Sequence, residues 1–109
     1  MLLKDCLDEY IYECECRHLS KGTLRNYRAQ ISFLFEYLEE RGIHEIEDVK
    51  SQHIRNFLRK KQDEGCKPNY INDLLKAHKT LFNYLEEEGY ITQNAAAKVK
   101  NVRKPKVII

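Results

Sequence analysis

Tryptophan is absent from this sequence, and its 109 residues hold only four glycines and two prolines. Few helix breakers leave long stretches free to be helical. Runs of β-branched residues are also missing, except at Val107, Ile108 and Ile109, so a sheet has little to build on. No apolar run approaches the length needed to cross a membrane. The start, MLLKDCLDEY, is too acidic for an export signal, and its apolar run is too short. The chain is therefore expected to stay in the cytosol, or in the nucleus if the source has one. There is no phosphate loop, nucleophile elbow or zinc-protease motif. His18, His44, His53 and His78 are scattered, without a nucleophile or carboxylate placed to serve them. Neither catalytic residues nor a cofactor are expected.

Cysteine is present at four positions, Cys6, Cys14, Cys16 and Cys66. An even count suggests disulfides only in an exported chain. Cys14, Cys16 and His18 invite a metal reading. Residues two apart on a helix point about 200° from each other, however, so they cannot share an ion there. No second pair stands at zinc spacing. Free thiols are expected, with Cys6 and Cys14 as small core residues.

The remaining composition suits one helical domain with a real core. The most informative stretch is KPNYINDLLKAHKTLFNYLEEEG, residues 67–89. Ile71, Leu74, Leu75, His78, Leu81, Phe82 and Leu85 recur at the spacing of an amphipathic helix. Opposite them run Asn69, Asn72, Lys76, Lys79 and Asn83, a stripe of amides and ammonium groups read as free of carboxylates. Amides can hydrogen-bond base edges, and lysines can meet phosphates or guanine. A solvated helix face is the plainer reading of such a stripe.

Three further helices are expected. The first, Leu3 to Arg17, buries Leu3, Leu7, Tyr10, Ile11 and Cys14. The second, Lys21 to Arg41, is capped by Ser20 and stopped by Gly42. It buries Leu24, Tyr27, Ile31, Leu34, Phe35 and Leu38, while Phe33 and Tyr37 fall opposite, as if it were buried on two sides. Lys21, Arg25, Arg28 and Ser32 share a strip beside its apolar face. The third helix, Ser51 to Glu64, buries Ile54, Phe57 and Leu58 and stops at Gly65. Ile43, Ile46 and Val49 lie in the connector before it. Pro68 suits the first turn of the fourth helix, and Gly89 its end. The segment TQNAAAKV, residues 92–99, leaves a short fifth helix open. Net charge is only +2, but its blocks alternate. Residues 16–35 and 50–61 are basic without acids, residues 36–48 hold six acids, and residues 98–106 hold five basic residues and no acid.

Four segments in order resemble the core-binding domain of the tyrosine recombinase, or phage integrase, family. They are SKGTLRNYRAQISFLFEYLEERG, IHEIEDVKSQHIRNFL, KPNYINDLLKAHKTLFNYLEEEGYITQNAAAKVK and the basic end VRKPK. Each is mostly helix periodicity; their order and spacing carry the resemblance, which covers nearly the whole chain. Two departures stand out. Asn94, Ala95 and Ala96 replace the family's Asn-Pro-Ala, removing the proline that would fix a stop. Lys50 stands where a capping Thr is usual, so Ser51 or Asp48 is expected to cap the third helix.

The resemblance implies an all-α, four-helix SAM-like bundle, like the lambda integrase N-terminal domain. Residues 1–99 would form the core-binding domain, and residues 100–109 a basic linker toward a separate catalytic domain. That catalytic domain carries the family's Arg, His and nucleophilic Tyr, so the seven tyrosines here are not read as nucleophiles and the fragment has no activity of its own. The implied partners are double-stranded DNA and other recombinase protomers in the full-length protein, with the isolated domain a monomer. Contacts are expected from the second helix (Lys21, Thr23, Arg25, Arg28), the fourth (Asn69, Asn72, Lys76, Lys79) and the tail (Lys98, Lys100, Arg103, Lys104). The alternatives are a helical protein-interaction module whose acidic faces bind a basic partner, or a helix-turn-helix regulator. These helices are longer than the latter motif uses.

Overall fold

A computed structural model describes residues 1–101; Arg103, Lys104 and most of the expected linker lie outside the described residues. The fold is all-α, with α1 (Leu3–Cys16), α2 (Lys21–Glu40), α3 (Ser51–Asp63) and α4 (Pro68–Glu87). A single 3-10 turn, Ile46–Asp48, interrupts the connector between α2 and α3. α2 and α4 each pack against the other three helices, so they form the central pair flanked by α1 and α3.

The apolar register is the expected one, except that Leu7, Leu24 and Tyr27 are only partly buried at the edge of the core. Leu34, Phe57, Leu74 and Phe82 are fully or almost fully buried, as are Cys6 and Cys14. All four cysteines are free thiols, and burial pushes the Cys6 thiol up to about 12. α2 is buried on two sides only in part. Tyr37 is buried against the Phe57 ring 5.3 Å away, whereas Phe33 remains 43% exposed. Tyr10 gathers the rings of Tyr27 and Tyr84 at 5.9 and 5.5 Å, so these tyrosines tie α1 to the central pair. Offset and tilted ring pairs of this kind add to area burial.

All four helices end the same way. The residue after the C-cap has positive φ: His18 (59°), Gly42 (80°), Gly65 (90°) and Gly89 (79°). The amides that follow reach back to the last turn, as in Leu19 to Cys14, Ile43 to Leu38, Cys66 to Lys61 and Tyr90 to Leu85. These bonds satisfy carbonyls that the helix leaves open. Glycine makes the left-handed position easy at three ends; at the fourth, His18 adopts it against its Cβ.

The helix starts are more varied. Ser20 caps α2 as expected, its hydroxyl accepting from the Thr23 amide at 3.2 Å. Neither Ser51 nor Asp48 caps α3. Lys50 occupies the N-cap, and its amide donates to His53 Nδ1 at 2.9 Å. A lysine side chain has no acceptor to complete a reciprocal cap. The Ser51 hydroxyl instead donates to the Ala95 carbonyl at 2.6 Å. α1 starts on a distant partner: the Leu3 amide donates to the His44 carbonyl, and the Ile46 amide to the Met1 carbonyl.

No fifth helix forms. Residues 92–99 make a series of turns pinned over the start of α3 and the end of α4. Asn94 donates to Asn83 Oδ1 at 2.8 Å and accepts from the Ala96 amide at 3.0 Å. With Ile91, Ala95, Ala96 and Val99 buried, the segment holds its place without the family's proline. Local side-chain bonds of this sort compete with helix.

His78 is fully buried within the core, and its ring lies 5.7 Å from that of Phe57. Neither ring nitrogen closes a hydrogen bond. Burial pulls its pKa down to about 3, and the nearby Gln30 backbone offsets only part of that.

Three outcomes follow for stability. Phe82→Ala should cost about 3–5 kcal/mol in chemical denaturation. His18→Gly should raise the denaturation midpoint, by about 1 kcal/mol of stability, because it relieves the left-handed penalty. Lowering pH should weaken the fold through His78. The unfolded chain takes up the proton below about pH 6.5 while the folded state refuses it, so stability falls toward a slope of about 1.4 kcal/mol per pH unit. Urea midpoints between pH 7 and pH 4 for the native chain and His78→Leu measure this; the variant should lose that part of the slope.

Candidate nucleic-acid interface

The central pair of helices leaves a shallow groove of about 190 Å³ on its outer side. From α2 it takes Thr23, Asn26, Tyr27 and Gln30; from α4 it takes Asp73, Lys76 and Ala77. The reason is rotational. Ile31, Leu34 and Leu38 set the inward direction of α2, and Leu74, His78 and Leu81 that of α4. Residues a quarter-turn from these directions meet at the seam.

Of the expected contacts, the structure brings Thr23 and Lys76 together here. Lys21, Arg25 and Arg28 do not line the groove. Arg28 turns instead to α1, where Asp8 lies 3.8 Å away in an exposed pair. Pairs of this kind contribute little to stability, but they partly neutralise the cation. Lys21 and Arg25 are exposed. On α4, Asn69 and Lys76 are exposed, and Asn72 and Lys79 are half-buried. Asn83, from the same stripe, is engaged by Asn94.

The stripe is not free of acids. Asp73 is exposed and enters the groove beside Lys76. Sequence periodicity had also passed over Asn26 and Gln30. All three sit on helix flanks, between the buried and the outermost positions, where periodicity assigns a residue to neither face. A polar residue one step from an apolar stripe, on each of two adjacent helices, is the signal that finds them.

The tail residues within the described range lie apart from this groove. Lys98 lines a larger hollow, about 550 Å³, together with Lys50, Ser51, Glu86 and Asn94. That hollow contains no other expected contact, so size does not mark the interface. Lys100 lies with Arg55, Arg59 and Gln62 on α3. The basic block of α3 is largely engaged. Arg59 pairs with Asp63 at 3.4 Å and Lys61 with Glu64 at 3.2 Å, and Lys60 lies 5.5 Å from the Tyr37 ring, which Arg41 covers at 3.8 Å. Among the described residues no group of three His, Cys, Asp or Glu side chains converges on a metal position, and no helix is long and apolar enough to cross a membrane.

This four-helix arrangement is that of the N-terminal SAM-like domain of phage integrases. Residues 7–89 match that family, and the chain belongs to it. It is similar to tyrosine recombinase XerC of Vibrio vulnificus strain YJ016, with 31% identity over 103 residues, covering 94% of this chain and 33% of that protein. XerC of Pseudomonas putida strain F1 is 30% identical over 90 residues, covering 77% and 30%. A lambda integrase dimer bound to a COC' core site superposes with a TM-score of 0.82 at 25% identity, covering 97% of this chain and 36% of that one. The N-terminal domain of a phage integrase/site-specific recombinase from Haloarcula marismortui has a TM-score of 0.84 at 15% identity, covering 94% and 97%, a likeness of fold alone. The chain is thus a tyrosine-recombinase N-terminal domain, and it spans about a third of the length of the curated relatives it matches.

Proposed function

We propose that this chain is the core-binding domain of a phage- or transposon-type tyrosine recombinase, holding duplex DNA for site-specific recombination. The observation that carries it is the groove between α2 and α4, where Asn26, Gln30, Asp73 and Lys76 present polar side chains with no partner among the described residues. Beside it, Lys21, Arg25 and Lys79 make no ion pair within the described residues. Unpaired cations around a polar groove suit phosphates around base edges. The lambda integrase relative is bound to a core site, which supports the same use here.

In this reading residues 1–99 hold the duplex and residues 100–109 lead toward a catalytic domain. Phosphate contacts come from Lys21, Arg25, Arg28 and Lys79, with Lys98, Lys100, Arg103 and Lys104 extending them along the exit segment. Thr23, Asn69, Asn72 and Lys76 stand nearer the base edges. Strand cleavage belongs to the catalytic domain, not to this one. Other protomers join through the full-length protein, as in the lambda integrase dimer, while the isolated domain stays monomeric.

Neutralising about four to six phosphates gives a slope of log affinity against log salt of roughly −4 to −5. A fluorescence titration of a labelled duplex at several salt concentrations measures it. Arg25→Ala or Lys79→Ala should weaken all duplexes alike and make the slope shallower by about one. Glu39 or Glu87 reversal should change little. Unchanged binding by a folded Lys76→Glu, Lys79→Glu double variant sinks the proposal.

A further inference from the structure

We propose that Asp73 and Lys76 together read a C·G base pair, making Asp73 a specificity-determining residue of the groove between α2 and α4. This rests on the DNA-binding reading above and deepens it. Asp73 is exposed, lines the groove, and forms no ion pair or hydrogen bond within the described residues. Lys76 lies one turn further along the same face, yet no salt bridge joins the two. A surface that only gripped phosphates would be weakened by a carboxylate at its centre. A surface that reads bases needs acceptors as well as donors.

The chemistry of the base edges selects the pair. In the major groove cytosine offers a single polar group, the N4 donor, while guanine offers only the N7 and O6 acceptors. A carboxylate accepts from N4 and is repelled by purine N7 and O6. An ammonium donates to N7 and O6 and has nothing to accept from N4. Side chains three residues apart on a helix are neighbours, with Cβ atoms about 5–6 Å apart. They can therefore meet the two halves of one base pair. Asn26 and Gln30 on the α2 flank extend the same edge with amides, which suit adenine.

The test is selection of bound duplexes from a pool randomised over about one helical turn, using this chain and its Asp73→Ala and Asp73→Asn variants, with circular dichroism to show that each folds. The native chain should enrich one C·G position, with cytosine preferred about tenfold. Asp73→Ala should flatten that position while binding unselected duplex at least as tightly. Asp73→Asn should move the preference toward adenine. The inference is overturned if the native chain binds duplexes but enriches no C·G position. It is overturned equally if both variants bind all duplexes more tightly and select the native sequence, since Asp73 would then act only as a repelling charge. A native chain that binds no duplex at low salt overturns the DNA-binding reading itself, and this inference with it.

Discussion

The contact between α2 and α4 is the constraint from which the rest of this structure follows. Each of these helices buries residues against all three others. An apolar stripe on a single helix is worth little in water; it stabilises only when a second stripe covers it. Here the two central stripes cover each other, and α1 and α3 close the sides. His78 shows how dry that contact is. A polar ring is held there without a hydrogen bond, a situation that costs free energy and that native cores usually avoid. The Phe57 ring beside it supplies packing in place of a polar partner.

The same rotation that buries the two stripes also decides what faces outward between them. Turning Ile31 and Leu34 inward carries Asn26 and Gln30 to the seam, and turning Leu74 and His78 inward carries Asp73 and Lys76 to the opposite lip. The groove is thus a by-product of core register, and its chemistry is held by a rigid pair of helices rather than by loops. Arg28 illustrates the opposite outcome. It sits on the α1 side of α2, where an acid from a different helix reaches it. Charge blocks that are clean along the chain become mixed once three helices meet.

The segment after α4 is held with comparable care. Ser51, Asn83 and Asn94 fasten residues 94–96 across two helices, and Ile91, Ala96 and Val99 bury their side chains beneath. The curated relatives that this chain matches are about three times longer.

Much of this was legible in the residues alone. Apolar spacing located four helices to within a residue or two, Ser20 marked one start, and Gly42, Gly65 and Gly89 marked three ends, because these signals act over one or two turns of chain. The end of α1 was placed within one residue, but its left-handed cap escaped, since His18 carries no glycine signature for that backbone. The start of α3 at Ser51 was legible but its cap was not, because the Ser51 hydroxyl has a stronger claim 44 residues away, leaving His53 to receive the Lys50 amide. Residues 92–99 looked helical by composition, but Asn94 bonds its own backbone and a neighbouring helix instead. The make-up of the groove was the least legible feature. Which flank of a helix meets which neighbour depends on the packing of two stripes from distant parts of the chain. By itself the sequence determined the helices, their inward faces and their family. Only the tertiary structure decided that Asp73 would join Lys76, Asn26 and Gln30 while Arg28 turned to Asp8, because pairing between helices is set by core packing and not by spacing along any one of them.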